Sequence, residues 1–179
     1  QRMYSNSTSE YLLLGLLRGK KVCNCILPLY LQQFSFYKAL KSNQRKEFTE
    51  RVLSTCFACL VVPLAVCCLV SSYIYSSPDH LLFLLRTTAK LALGYFLWDL
   101  FICCRYYKEY GAPFLLHAVF CTITYYIVAV EKQMMVYGVS ALLYEISTPF
   151  LNARWLLLKM GYDRCDSLWQ WCNKLFAIS

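Results

Sequence analysis

Three ionisable side chains, Asp99, His117 and Glu145, interrupt otherwise apolar runs of a 179-residue chain. Each falls about five to seven residues from one end of its run, so roughly 8–10 Å deep at 1.5 Å per helical residue. A charge in water-poor surroundings is costly, and a group kept there has a partner or a task. The residue types suit proton chemistry. An imidazole is a general base near neutral pH, and a carboxylate beside it fixes its tautomer. The same types also allow an interhelical hydrogen bond that only fixes packing, worth about 0.6 kcal/mol on average in membrane proteins. A proton or ion path is disfavoured, because the acids gather at one depth and no chain of them crosses. No metal is expected either. The sequence has no HxxxH or HxxE spacing, and His80 belongs to the opposite loop.

These groups must be carried by long apolar elements. Expected spans cover 52–74, 82–104, 112–130 and 134–151, each about 18–23 residues and so long enough to cross a bilayer. Pro63 lies in the first. Arg86 and Lys90 open the second and reach back to the interface. Lys38, Lys41, Arg45, Lys46 and Arg51 precede the first span. Arg105 and Lys108 separate the second and third, and Arg154, Lys159 and Arg164 follow the fourth. The alternate loops hold little beyond Lys132, so the basic loops are assigned to the cytosol. A hairpin of spans two and three then levels Asp99 with His117, and span four returns with Glu145. At helical spacing Tyr95, Asp99 and Cys103 share a face, as do His117, Cys121 and Thr124. Gly138, Ala141, Glu145, Thr148 and Asn152 share another. Pro149 removes the amide that would bond the Glu145 carbonyl. Asp99, His117, Glu145, Thr148 and Asn152 are thus the candidate lipid-binding polar cluster, with His117 as the candidate catalytic base.

Composition narrows the class. Hydrophobic residues make up 59% and charged residues 16%, where a soluble domain is near half apolar and a quarter charged. Runs 56–70 and 91–97 are apolar all round, which excludes a soluble bundle that needs a wet face. The net charge of +8 sits in loops between apolar runs, not in a patch, so no nucleic-acid partner is expected. Most of the 11 cysteines lie inside those runs and read as small buried hydrophobes. Residues 1–47 form an N-terminal region with a candidate membrane segment at 11–31, and Asn6 opens a glycosylation sequon. Residues 48–179 form the main domain, with a further apolar stretch at 168–179. The chain opens on Gln1 and stops within that stretch, so a fragment is expected.

Several strings resemble one family. Gly94-Tyr95-Phe96-Leu97-Trp98-Asp99-Leu100, His117 at a span start, and Glu145-Ile146-Ser147-Thr148-Pro149-Phe150-Leu151-Asn152-Ala153-Arg154-Trp155 look like the TLC-domain family of membrane proteins. Arg51-Val52-Leu53-Ser54-Thr55 resembles the family's opening of a span. The likeness covers about residues 48–160 and is closest outside the ceramide-synthase branch. It implies an all-α multi-pass transmembrane bundle, of whose six helices this chain carries a part. It also implies the endoplasmic reticulum, membrane lipids as partners, and a role in lipid handling and membrane lipid homeostasis. The alternatives are an acyl-CoA-dependent acyltransferase of ceramide-synthase type using His117, and a structural or interaction protein with no ligand. Ceramide synthases carry paired histidines where this chain has His117-Ala118, which argues against the acyltransferase. No cofactor is implied.

Overall fold

The computed structural model describes residues 27–74, 78–131 and 134–179. All regular elements among them are helical: α1 (Leu27–Leu31), α2 (Ser35–Ala39), α3 (Ser42–Ile74), α4 (Pro78–Arg105), α5 (Tyr107–Ala129), α6 (Met135–Ala141), a 3-10 stretch (Leu142–Ser147), α7 (Thr148–Lys159) and α8 (Ser167–Ile178). The all-α class expected from the apolar runs is the observed one. Of the expected segment at 11–31 only 27–31 falls within the described residues, and the Asn6 sequon lies outside them.

Among the described residues, three helices, α3, α4 and α5, are long and apolar enough to cross a membrane. Only 28%, 39% and 22% of their most apolar stretches are buried within the protein. The rest of that surface, including Leu60, Val66, Phe83, Phe101, Phe120 and Ile123, faces outward. Water would not tolerate such a surface and hydrocarbon does, so this is an integral membrane protein. α3 begins ten residues before the expected span, on the polar stretch from Ser42, and runs on through Pro63. In α5 the backbone breaks at Gly111, where φ is 79°, and the long apolar helix follows it with Pro113 in its first turn.

The stretch expected to be a fourth span, 134–151, takes another form. It comprises α6, then the 3-10 stretch, then α7 with Pro149 in its first turn. Pro149 supplies no amide for an α-type bond to Glu145, and its ring crowds that carbonyl. The chain before it therefore tightens to three residues per turn. Six residues at this pitch advance about 120° further than six α-helical ones. Glu145 thus lies in the 3-10 stretch, and Thr148 and Asn152 lie in α7.

The chain divides into two compact units, with boundaries after Pro63 and after Ala141. In the unit holding 64–141, α4 and α5 form a hairpin joined through Tyr106, and α6 packs on both. Phe96 is its buried centre and stacks on Tyr125 with centroids 5.0 Å apart. The Tyr125 hydroxyl donates to the Gly138 carbonyl at 3.0 Å, and Thr122 Oγ1 donates to the Phe96 carbonyl at 3.1 Å. Gly138 fits because it has no side chain: a Cβ there would clash with the Val128 side chain.

In the unit holding 27–63 and 142–179, a small core of Leu31, Tyr37 and Leu40 packs on Phe48. Arg45 Nε donates to the Leu40 carbonyl at 2.9 Å and Nη2 to the Lys38 carbonyl at 2.6 Å, closing the end of α2. α7 ends in a Schellman turn. The Tyr162 amide bonds the Leu157 carbonyl at 3.0 Å, the Gly161 amide bonds that of Leu158 at 3.3 Å, and Gly161 has φ of 90°. That turn reverses the chain so that α8 packs back along α7.

Candidate functional site

Asn152 is the best-connected of the expected polar residues. It is 9% exposed, on the first turns of α7. Its Nδ2 donates toward the Arg51 carbonyl (3.0 Å), Ser54 Oγ (2.7 Å) and Thr55 Oγ1 (2.9 Å). Its Oδ1 accepts from Arg51 Nη1 at 3.1 Å. The reason lies in α3. Ser54 and Thr55 follow Arg51 by three and four residues, hence on one face. Both hydroxyls donate back to the Arg51 carbonyl, at 3.0 and 2.8 Å. Their lone pairs then point outward as a ready acceptor set for one amide.

Arg51 is compensated on every side. Glu47 Oε1 takes Nη2 at 2.9 Å and Nε at 3.2 Å. The guanidinium lies 4.7 Å from the centre of the Trp155 ring, which stacks on Phe48. Lys159 approaches the same indole at 5.6 Å. Charge, hydrogen bonds and ring packing thus fasten α7 to α3. Arg51 is therefore a fastening group rather than an open anion receptor.

Glu145 and Thr148 belong to the same unit. Thr148 Oγ1 donates to Glu145 Oε2 at 2.7 Å, so the half-buried carboxylate keeps its other oxygen for another donor. Asp99 and His117 belong to the other unit. Phe96, three residues before Asp99, meets the His117 ring edge-on at 6.3 Å, so the α4–α5 hairpin carries both residues at about one level. The His117 ring is exposed, and its polar neighbour is Cys121, whose sulfur lies 3.6 Å from Nε2 and 3.9 Å from Nδ1. Cys121 thus shares the His117 face, as the four-residue spacing implies. Asp99 is half-buried on α4.

Of the expected residues, Glu145 and Thr148 are hydrogen-bonded to each other, and Asn152 bonds Arg51, a residue outside the expected set. Spacing alone did not assign Arg51, Glu47, Ser54, Thr55 or Trp155 to a site. The available signal was a cation opening an apolar run with hydroxyls at the third and fourth following positions. Nothing in a periodicity can name a partner 101 positions away.

The family described as TLC domain matches residues 47–179, a range containing both strings that meet at Asn152. A TLC domain-containing protein of Schizosaccharomyces pombe is 29% identical over 164 residues, covering 88% of this chain and 54% of its own length. TLC domain-containing protein 4-B of Xenopus laevis is 28% identical over 136 residues, covering 72% and 50%. Topoisomerase I damage affected protein 4 of Saccharomyces cerevisiae is 33% identical over 85 residues, covering 48% and 30%. The chain spans about half the length, or less, of these curated relatives. No solved structure matches it significantly. With three helices fit to cross a bilayer and a family match over most of its length, the chain belongs to the TLC-domain family.

Proposed function

We propose that the protein handles membrane lipids and helps set membrane lipid composition, in the endoplasmic reticulum, with its basic loops in the cytosol. The observation that carries this reading is a polar set held among apolar helices: Glu145 with Thr148, and Asn152 with Arg51 and Glu47, in a single unit. In this reading the fastened pair of α3 and α7 is the rigid wall, and the spare oxygen of Glu145 meets a headgroup donor. The other unit offers its own polar groups, Asp99 and His117. If acyl transfer from acyl-CoA takes place, His117 is the proposed base. Its thiol neighbour orients it less firmly than a carboxylate would, so lipid handling without transfer is preferred. The long helices supply hydrocarbon contact for acyl chains.

Two measurements test this. Cells lacking the protein are compared with rescued cells by phospholipid and sphingolipid acyl profiling. A changed profile restored by the wild type, and not by Glu145→Gln, supports lipid handling; an unchanged profile refutes it. Microsomes given labelled acyl-CoA and sphingoid base report on transfer. Product that vanishes with His117→Ala would establish the acyltransferase instead.

A further inference from the structure

Arg154 stands one position before Trp155 but faces a different set of neighbours. Its guanidinium carbon lies 5.2 Å from the centre of the Trp169 ring and 4.9 Å from that of Phe176, both on α8. Two aromatic faces therefore grip the cation and fix its plane. Arg154 Nε and the Trp169 indole Nε1 are both buried, and among the described residues neither has an acceptor. No carboxylate among the described residues forms an ion pair with Arg154. Two enclosed N–H groups without acceptors, one on a cation, are costly, and call for an acceptor beyond the described residues.

The surroundings indicate its chemistry. From Arg154 onward the chain carries Arg154, Lys159, Arg164 and Lys174 against Asp163 and Asp166, an excess of two positive charges. An anion matches both this excess and the enclosed cation. α8 adds a second condition. Its apolar arc is wider than the part that packs on α7. Trp169, Cys172 and Phe176 are half-buried, while Leu168, Trp171, Leu175 and Ile178 on the adjoining arc are exposed. A ligand with an anionic head and a hydrocarbon tail satisfies both at once.

We infer that the α7–α8 seam binds an anionic phospholipid, its phosphoryl oxygens on Arg154 and the Trp169 N–H and one acyl chain along Leu168, Trp171 and Leu175. A phosphoryl group suits the place. It carries several acceptor oxygens, so Arg154 Nε and the Trp169 N–H, both closed to solvent, can each take one when the seam admits the headgroup. This rests on the reading that the protein handles membrane lipids, and it names the headgroup chemistry and the residues.

The test uses the purified full chain in neutral detergent micelles, titrated with phosphatidic acid, phosphatidylcholine or inorganic phosphate and read by native mass spectrometry. Phosphatidic acid should bind best. Arg154→Gln should weaken it by about tenfold or more, as expected for losing charge-assisted hydrogen bonds. Trp169→Phe keeps the ring and removes one N–H, and should weaken it by about threefold to tenfold. That milder change keeps the inference testable where Arg154→Gln does not fold. Equal binding by wild type and Trp169→Phe overturns it, as does equal binding of phosphatidic acid and phosphatidylcholine. Inorganic phosphate binding as tightly as the lipid overturns the lipid assignment. Unchanged cellular lipids with seam binding intact refute lipid handling alone, whereas changed cellular lipids without seam binding refute the seam alone.

Discussion

Asn152→Ala is the sharpest perturbation the structure offers. The substitution removes the acceptor of Arg51 Nη1 and the donor shared by the Arg51 carbonyl, Ser54 and Thr55. Ser54 and Thr55 keep their own bonds to the Arg51 carbonyl, so they are not orphaned. The guanidinium keeps Glu47 but loses a charge-assisted bond, at about 1.5 kcal/mol, and the lost amide donor adds about 1 kcal/mol. Counting four interhelical contacts at the membrane average of about 0.6 kcal/mol each gives a similar total. The expected cost is about 2–3 kcal/mol, or a fall of about 5–10 °C in unfolding midpoint for a chain of this size. Unfolding in mixed detergent micelles, followed by circular dichroism, measures it. A double-mutant cycle with Arg51→Gln should return a coupling of about 1 kcal/mol or more. A loss below about 0.5 kcal/mol, or additive single effects, would refute the claim that this contact fastens α7 to α3.

Gly138→Ala should destabilise by about 1–3 kcal/mol through its clash with Val128, and Val128→Ala in the same chain should restore most of that. Failure of the second substitution to rescue the first would disprove the contact. Gly161→Ala puts a side chain at φ of 90° and should cost about 1–2 kcal/mol in the same unfolding assay, with no clash to relieve, since nothing lies within 4 Å of the added carbon. His117→Ala should leave the unfolding midpoint within about 2 °C, because the ring is exposed and its packing partner is one edge of Phe96. A loss as large as that of Asn152→Ala would assign His117 a structural role.

The long helices were legible in the sequence because a helix apolar on every side for some twenty residues has hydrocarbon as its natural solvent. Their ends were less so. α3 starts at Ser42 because the polar stretch before Arg51 carries no helix breaker, and hydropathy is silent on that. The fourth run differs for a related reason: its residues are apolar enough for a span, but pitch is set by one missing amide at Pro149. The proline is plain in the sequence, yet its effect falls on the turn before it, where a hydropathy pattern registers nothing. For the candidate site, Asn152 could be singled out by type and position. Its engagement with Arg51, Ser54 and Thr55 could not, because short-range spacing carries no information about contacts across 101 positions.

That separation also bears on biogenesis. At a synthesis rate of about 5–20 residues per second, Asn152 follows Arg51 out of the ribosome by about 5–20 s. For that interval the guanidinium would stand at the head of a newly inserted helix with its later partner unmade. Glu47, one turn earlier on the same helix, is already there to neutralise it. The local ion pair would thus serve as a placeholder during translation, letting the segment settle in the bilayer before α7 arrives to lock it.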